Sequence, residues 1–376
     1  MLLRVALLAS AYVAVTLAGL ASGHDEEPRA LHWETVGELT RPRAYARAVA
    51  LATGEILVVG GLDADDPEVT LYRSELVDPD DGSAVRLPQP LLGRVNHTVT
   101  AAWGDRIVVI GGTDFRRDHW APVDRVEVFI PDSRTWLIGA PLREPRSDHG
   151  ATALRDGRVL VTGGNQGARL LRTTEIYDPS TNTWTIAAPM PRPRTQFSIA
   201  TLIDGRVLVA GGFRDDGRIT RETLIYDPAR DRWTAGPDTI EPRLNHAMVK
   251  LPGGDLLFIA GEASASDNAE RFDARRREFV PAGRLRSARV VPQAAALEDG
   301  RVVLAGGLPF PATVRTFSPV EIVEIWDPRT STWSTTISAP SARAFGALIA
   351  TERGLFRVSG SEPDERSALT IERFGR

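Results

Sequence analysis

Short apolar runs that end in a pair of small residues recur along this chain of 376 residues. The first run is LVVGG at residues 57–61, and the later copies end at Gly112, Gly164, Gly212, Glu262, Gly307 and Ser361. Unbroken apolar runs of this length predict strands that are buried on both faces. The glycine pairs indicate that each strand ends where the backbone must bend or be approached closely.

Two spacings are nearly constant within these repeats. An arginine lies 17 residues before the first small residue of each pair: Arg43, Arg94, Arg146, Arg194, Arg243, Arg289 and Arg343. Ten residues before six of these arginines lies a large aromatic residue: Trp33, Trp136, Trp184, Trp233, Phe279 and Trp333. Arg94 is the exception to this second spacing, because the corresponding residue is Val85, which is not aromatic and lies nine residues before it. With Gly60 as the first position and Gly360 as the seventh, the mean period is 50 residues.

Each repeat predicts four strands. The first follows the arginine, the apolar run forms the second, and the third carries a glutamate before an Asp-Pro turn. The aromatic residue lies on the fourth strand, where it is expected to be buried between neighbouring units. The seventh repeat has only three strands, and an N-terminal strand around Trp33 supplies the fourth. The sequence therefore predicts an all-β, seven-bladed β-propeller over residues 24–376, with the ring closed by the Trp33 strand.

The glycine pair, the Tyr/Trp-Asp-Pro turn (residues 177–179 and 326–328) and the spaced tryptophan resemble kelch repeats, whose period is also about 50 residues. The resemblance covers residues 30–376 and is closest to bacterial secreted kelch proteins. It implies the propeller fold and leaves the function open. Galactose and glyoxal oxidases of this kind use a copper–radical site with a tyrosine–cysteine cross-link, which a chain without cysteine cannot form. Beyond the repeat itself, no local motif matches the bacterial sialic-acid mutarotases.

Composition narrows the range of partners and cofactors. The formal net charge is −4 and no basic run stands out, which argues against nucleic-acid binding. The absence of cysteine excludes disulfides, thiolate metal ligands and a cysteine nucleophile. Lys250 is the only lysine among the 45 basic residues. No cofactor is predicted.

The N-terminus predicts export. Arg4 precedes an apolar stretch over residues 5–20, and three small residues end at Gly23, as in a secretory signal peptide over residues 1–23. The mature protein is expected to act outside the cytoplasm, in the periplasm or after secretion, as a monomer without stable membrane insertion. A retained anchor is the alternative, although the apolar stretch is shorter than the roughly 20 residues of a membrane span.

The three longest insertions between second and third strands are residues 62–74, 113–126 and 308–323. In a propeller these loops share one face with the connections between blades, and loops on a rigid scaffold commonly carry binding residues. The second loop contains Asp114, His119 and Trp120, and this mixture of charge and aromatic surface suits a sugar or a peptide. The alternative is a solvated loop that covers the rim.

The seven arginines are expected to form a ring near one mouth of the channel, where they could attract a carboxylate or a phosphate. A glutamate recurs on the third strand, however, at Glu75, Glu127, Glu175, Glu270, Glu324 and Glu372. This favours one structural Arg–Glu pair in each blade. Blade 4 has Leu224 at the glutamate position. Unless Glu222 replaces the missing carboxylate, Arg194 is the arginine predicted to be most available to a ligand.

Three histidines, His97, His149 and His246, lie three residues after an arginine and therefore occupy equivalent positions in blades 2, 3 and 5. We expect structural hydrogen bonds from them, with ligand contacts as the alternative. A shared metal ion is a further alternative, but a propeller channel is wide for metal–nitrogen distances of about 2.0–2.1 Å. No metal site is predicted.

No nucleophile elbow, phosphate-binding loop or HExxH motif is present. The sequence therefore favours a non-enzymatic binding protein that presents one propeller face to a carbohydrate, a peptide or a protein partner. An enzyme acting on an anionic sugar, mutarotase-like or lyase-like, is the alternative, and a structural component of the cell envelope is a third hypothesis. An enzyme predicts titratable residues with shifted pKa values at the channel mouth, whereas a binding module predicts an aromatic or apolar patch rimmed by polar groups.

Overall fold

The computed structural model describes residues 32–63, 70–88, 92–116, 119–262, 267–311, 318–335, 339–363, 366 and 368–375. The predicted signal peptide, residues 1–23, lies outside the described residues, as do parts of the three long insertions. Within the described residues, no helix is long and apolar enough to cross a membrane.

Seven antiparallel four-stranded sheets, the blades, surround a central channel. In each blade, the strand named first is the innermost and the strand named last is the outermost. Blade 1 contains Arg47–Ala50, Ile56–Val59, Glu75–Val77 and Ala84–Arg86. Blade 2 contains Thr98–Ala101, Ile107–Ile110, Val126–Ile130 and Thr135–Gly139. Blade 3 contains Gly150–Ala153, Val159–Thr162, Thr174–Asp178 and Thr183–Ala187. Blade 4 contains Ser198–Thr201, Val207–Ala210, Thr223–Asp227 and Arg232–Ala235.

The remaining three blades follow the same order. Blade 5 contains Ala247–Lys250, Leu256–Ile259, Asn268–Asp273 and Glu278–Arg284. Blade 6 contains Gln293–Ala296, Val302–Ala305, Glu324–Asp327 and Thr332–Thr335. Blade 7 contains Ala347–Thr351, Gly354–Val358, Thr370–Gly375 and His32–Glu38. A single 3-10 turn, Trp103–Asp105, is the only helical element in the described part of the chain.

Short two-stranded ladders join the loops at one end of the channel. They pair Arg43–Ala44 with Leu62–Asp63, Thr113–Arg116 with His119–Pro122, Asn165–Gln166 with Arg169–Leu170, Arg194–Thr195 with Phe213–Arg214, and Arg289–Val290 with Leu308–Pro309. We call this end, where the innermost strands begin, the arginine end. The opposite end, where tight turns connect the innermost and second strands, is the hairpin end.

The N-terminal strand closes the ring. His32–Glu38 is the outermost strand of blade 7, and Trp33 lies opposite Phe374 of the third strand. The two rings are 4.9 Å apart between centroids. The innermost strand of each blade contacts those of both neighbouring blades, including blade 7 with blade 1. The predicted seven-bladed propeller and its closure by the Trp33 strand are confirmed.

The hydrophobic core lies between neighbouring blades. In the second strand of blade 1, Leu57 and Val59 pack toward blade 2, in a cluster with Ile107 and Val109. The alternate residues of that strand, Ile56 and Val58, pack toward blade 7. Successive side chains of a strand point to opposite faces. A blade covered on both sides therefore needs an unbroken apolar run, as the sequence has.

Candidate functional site

The seven repeated arginines are all buried at the arginine end. In blades 1 to 6 the Nη1 group donates a hydrogen bond to the carbonyl oxygen of the residue 17 positions later, over 2.8–3.2 Å. The acceptors are Gly60, Gly111, Gly163, Gly211, Ala260 and Gly306. This hydrogen bond explains the constant spacing, because it ties the start of the innermost strand to the end of the second strand.

The Arg–Glu pair expected from the sequence is present in six blades. In blade 6, Arg289 Nη2 donates to Glu324 Oε1 over 2.7 Å, and the backbone N–H of Arg286 donates to Glu324 Oε2 over 2.8 Å. Burial lowers the pKa of Arg289 to about 10, and the charge of Glu324 opposes that shift. A buried guanidinium that is satisfied in this way holds the blade together.

Blade 4 distinguishes between the two alternatives for Arg194. Leu224 is buried at the glutamate position, while the Glu222 side chain is 47% exposed and lies 3.6 Å from Arg194 Nη2. Arg194 is nevertheless only 1% exposed, and its Nη1 donates to the carbonyl oxygens of Gly211 and Glu222 over 3.2 and 3.0 Å. Glu222 therefore supplies the missing carboxylate, which was one of the two alternatives left open by the sequence, and Arg194 is not accessible.

Blade 7 shows an error of one residue in the repeat alignment. The backbone N–H of the second small residue of each pair donates to the carbonyl of the next blade's arginine, and in blade 7 that donor is Gly360, bonded to Arg43 over 2.9 Å. Ser359, with φ of +67°, is therefore the first position. The prediction of Gly360 there was wrong, because the hairpin in which Thr351 pairs with Gly354 is one residue shorter than its equivalents.

A ring of seven left-handed residues lies at the arginine end. Each follows a repeated arginine by two positions, has φ between +47° and +60°, and is buried: Tyr45, Asn96, Asp148, Gln196, Asn245, Val291 and Phe345. Backbone N–H groups of Tyr45 and Val291 donate to the carbonyls of Phe345 and Asn245 over 2.8 and 2.9 Å, linking neighbouring blades. The left-handed conformation is costly for residues other than glycine. The sequence does not mark this ring, because its members share no residue type.

The three candidate histidines are buried between blades. His149 Nε2 lies 3.0 Å from Thr98 Oγ1, and His246 Nε2 lies 2.7 Å from Ser198 Oγ, each hydroxyl belonging to the preceding blade. Burial lowers the pKa of His246 to about 3, and it also lowers the pKa values of His97 and His149. These histidines are therefore neutral at pH 7. Among the described residues, no group of three or more His, Cys, Asp or Glu side chains could hold a metal ion.

The described parts of the three long insertions meet in one apolar cluster at the arginine end. They contribute Leu62, Trp120, Leu308 and Phe310, which pack with Tyr45, Phe345 and Val291 of the left-handed ring. Tyr45 and Phe345 stack with ring centroids 4.3 Å apart and an interplanar angle of 17°. We call Tyr45, Trp120, Phe310 and Phe345 the aromatic patch. It covers blades 1, 2, 6 and 7, whereas the ring residues of blades 2 to 5 are polar.

The three candidate residues of the second insertion differ in exposure. Asp114 is buried and accepts a hydrogen bond from Thr70 Oγ1 over 2.6 Å, so it fixes the loop instead of facing solvent. His119 is exposed at the tip of the Thr113–Pro122 hairpin, and Trp120 is half-buried against the cluster. Trp120 contacts Phe115 edge-on, with ring centroids 5.2 Å apart. The role of His119 and Trp120 in ligand binding stays a prediction.

The hairpin end opens into a cavity of about 1000 Å³. Its wall comes from blades 1, 2, 5, 6 and 7 and includes small apolar residues of the innermost strands and the carboxylates Glu55, Asp105, Glu298 and Glu352. Lys250 lies in the same wall. No sequence motif marks this cavity, although the single lysine of the chain was a signal that could have drawn attention to this position.

The tryptophans of the outermost strands connect blades as the sequence predicted. Trp184, Trp233 and Trp333 donate from Nε1 to backbone carbonyls of the preceding blade over 2.7, 2.8 and 2.9 Å. Trp136 donates to Ser74 Oγ over 3.1 Å. Each indole thus adds a directional link to the apolar area that it buries.

Comparison with protein families finds a kelch-repeat model that matches most of the chain. The family described as the KLHDC2/KLHL20/DRC7 Kelch-repeats domain matches residues 48–261 and 96–307. The two matches overlap and are displaced by about one repeat, as expected for a repetitive ring.

The solved structures that are similar in fold include a fungal oxidase and YjhT. A fungal alcohol oxidase of the AA5 family, in complex with copper, gives a TM-score of 0.73 at 17% identity, over 92% of this chain and 76% of the oxidase. The structure of YjhT gives a TM-score of 0.56 at 16% identity, over 73% of this chain and 93% of YjhT. These identities show the fold alone. The residues of this chain do not fit a copper–radical centre with a tyrosine–cysteine cross-link, since cysteine is absent.

Proposed function

Because this chain belongs to the kelch-repeat family of β-propellers, we propose that it is an interaction module that binds a peptide or protein segment at the aromatic patch. The observation that carries the proposal is the convergence of the three longest insertions on one cluster with Tyr45 and Phe345. Long loops on a rigid scaffold are common positions for binding residues.

The chemistry of the patch suits a protein partner. Aromatic residues dominate the energetics of protein interfaces, and they are commonly surrounded by a polar rim. The same insertions also carry exposed polar and amphipathic side chains, among them His119 and Tyr72, and the Tyr72 ring lies 5.7 Å from the guanidinium carbon of Arg73. The Tyr45 hydroxyl is buried in the patch without a hydrogen-bond partner among the described residues.

The geometry gives less support to an enzyme for an anionic sugar. That hypothesis relies on arginines and histidines at the channel mouth, and Arg194, His97, His149 and His246 are all buried in contacts within or between blades. Burial keeps the histidines neutral, so they would add no positive charge for a carboxylate ligand.

We also propose that the protein acts outside the cytoplasm. The support is the basic residue, apolar stretch and small residues of positions 1–23. Cell fractionation and sequencing of the mature N-terminus test this part separately. We expect the mature chain to begin at His24 and to be recovered from the periplasm or the medium.

Selection from a library of random displayed peptides tests the binding proposal. We expect peptides to be enriched on the wild-type protein and to lose at least about tenfold in affinity for the Trp120→Ala variant, since aromatic anchors at interface centres contribute about 2 kcal/mol or more.

The matched control is Trp103→Ala, which removes a 66% exposed tryptophan from the hairpin end. Peptide binding should be unchanged in this variant. The proposal fails if no peptide is enriched, or if the enriched peptides depend on Trp103 and not on Trp120.

A further inference from the structure

The outermost strand of blade 2 has an exposed apolar edge. Leu137 and Ile138 are 54% and 66% exposed, and among the described residues no other outermost strand exposes two large apolar side chains. This strand, Thr135–Gly139, is paired on one side only, with the third strand of its own blade. Its other edge therefore presents unpaired backbone N–H and C=O groups, which are a template for a further strand.

The edges of the other blades are better protected against such pairing. Proteins commonly protect an exposed edge with charged residues or proline. The outermost strands of blades 1, 4, 5 and 7 each carry at least one charged residue, and those of blades 3 and 6 carry two or three threonine or serine residues. Thr135–Gly139 contains a single threonine and neither a charge nor a proline. Blade 2 therefore has the edge that is most open to another strand.

Exposed apolar side chains are present on both sides of this strand. Ile138 points toward blade 1, because it lies two residues after Trp136, whose indole donates to that blade. Leu137 points to the opposite side, toward blade 3. The outermost strands of these two neighbouring blades expose Val85 and Ile186, by 57% and 61%. Together the four side chains expose roughly 400 Å² of apolar surface, which is in the range of patches that are often functional.

The residues that flank the strand are complementary in charge for a second copy of the chain. Asp132 precedes the strand and Arg143 follows it; both are exposed, and neither forms an ion pair with another described residue. In an antiparallel pair, the start of one strand lies beside the end of the other. A two-fold axis places either Leu137 or Ile138 opposite its own copy. In both registers Asp132 lies within one residue of Arg143 of the other copy.

We propose that the outermost strand of blade 2 is a homodimer interface, in which two copies of this chain pair these strands antiparallel around a two-fold axis. Apolar side chains meet their own copies in the middle, and an Asp132–Arg143 pair lies at each end. The exposed apolar side chains of both copies supply at most roughly 800 Å², less than the roughly 1,200 Å² of a stable interface, so the dimer is weak. The interface lies on the rim and does not depend on the aromatic patch.

Sedimentation equilibrium of the purified protein at low salt tests the proposal. We expect a reversible monomer–dimer equilibrium with a dissociation constant of about 10–300 µM, as for a small interface. Asp132→Arg and Arg143→Asp should each weaken the dimer at least about fivefold, since each change replaces two attractions with two repulsions. The variant that combines both changes should return to the wild-type dissociation constant, because only an interface between two copies restores both pairs.

A further pair of variants tests the edge itself. Leu137→Arg places a charge in the middle of the strand and should abolish dimerisation. The matched control is Ser334→Arg, because Ser334 is exposed and follows the tryptophan of blade 6 as Leu137 follows that of blade 2. The control should keep the wild-type dissociation constant. The proposal is overturned if the wild type stays monomeric up to about 500 µM, if the control loses as much as Leu137→Arg, or if the combined charge exchange does not restore the dimer.

Discussion

The two ends of the channel are built by the same seven repeats and carry different chemistry. At the arginine end, charged groups are buried and neutralised in place, as in the pair of Arg289 and Glu324, and a ring of hydrogen-bonded residues lies across the blades. At the hairpin end, turns leave an open cavity whose charged groups, such as Glu298, face solvent. The polar residues that recur in every repeat therefore stabilise the fold, whereas polar residues that a ligand could reach lie where the repeats differ.

The largest expected effect comes from removing a buried charge at the arginine end. Glu324→Gln leaves Arg289 buried without its carboxylate, and breaking such a pair costs about 3–5 kcal/mol of unfolding free energy. The matched change at the other end, Glu298→Gln, alters an exposed carboxylate and should leave the urea midpoint unchanged. Equal losses in the two variants would remove the distinction between the ends.

Acid sensitivity should also come from the arginine end. The pKa of His246 is about 3 in the folded protein and about 6.5 in the unfolded chain. The unfolded chain therefore binds the proton first, and stability that is complete above pH 6.5 is lost as the pH falls toward 3. By pH 5 this histidine accounts for about 2 kcal/mol of the loss.

The variant His246→Phe removes this term, and phenylalanine already occupies the equivalent position in blade 4 as Phe197. We expect unfolding free energy measured from pH 7.5 to pH 5 to fall less steeply than in the wild type. The exposed His119→Phe variant is the control and should keep the wild-type slope. An unchanged slope in His246→Phe would mean that this histidine is not buried and neutral in the folded protein.

A smaller difference in unfolding free energy is expected between variants of two tryptophans, Trp120 at the arginine end and Trp103 at the hairpin end. Trp120→Ala removes a ring that packs on the arginine-end cluster and should cost about 1 kcal/mol. Trp103 at the hairpin end is 66% exposed, so Trp103→Ala should change the unfolding free energy by less than about 0.5 kcal/mol. Urea denaturation measures both. If Trp103→Ala lost more unfolding free energy than Trp120→Ala, the stabilising aromatic contacts would lie at the hairpin end, which would contradict this account.

The fold followed from the sequence because its spacings are set by local hydrogen bonds. The contact between Arg146 and the carbonyl of Gly163 spans 17 residues, as do its equivalents in the other blades from 1 to 6, and Trp33 has the same distance to its arginine as the other tryptophans. The alignment failed only in blade 7, where a shorter hairpin moves the equivalent position to Ser359. The sequence did not reveal this shift, because the shorter hairpin occurs in one repeat only and no second repeat shows the same change.

The site was harder to predict because burial of polar residues depends on tertiary contacts. Arginine and histidine are residue types that are common in surface sites. In this fold, however, Arg194 is bonded to a backbone carbonyl and His149 to a hydroxyl group, and these contacts cannot be read from the sequence. The left-handed ring contains residues as different as Val291 and Asp148, since its geometry is imposed by the contacts between blades. Trp120 was named as a candidate because it stands in a long insertion, where the repeat does not constrain it, and its role in binding stays a prediction.

Hydrogen exchange of the backbone amides tests the contrast between the two ends most directly. The amides of Tyr45, Asp148, Gln196 and Val291 are bonded to ring residues of the preceding blade, and they should exchange only through global unfolding. The amides of the exposed turn residues Gly253 and Glu298 at the hairpin end should exchange orders of magnitude faster. Ring amides that exchange as fast as those turns would contradict the contrast, because the arginine end would then be open to solvent and its buried charges accessible to ligands.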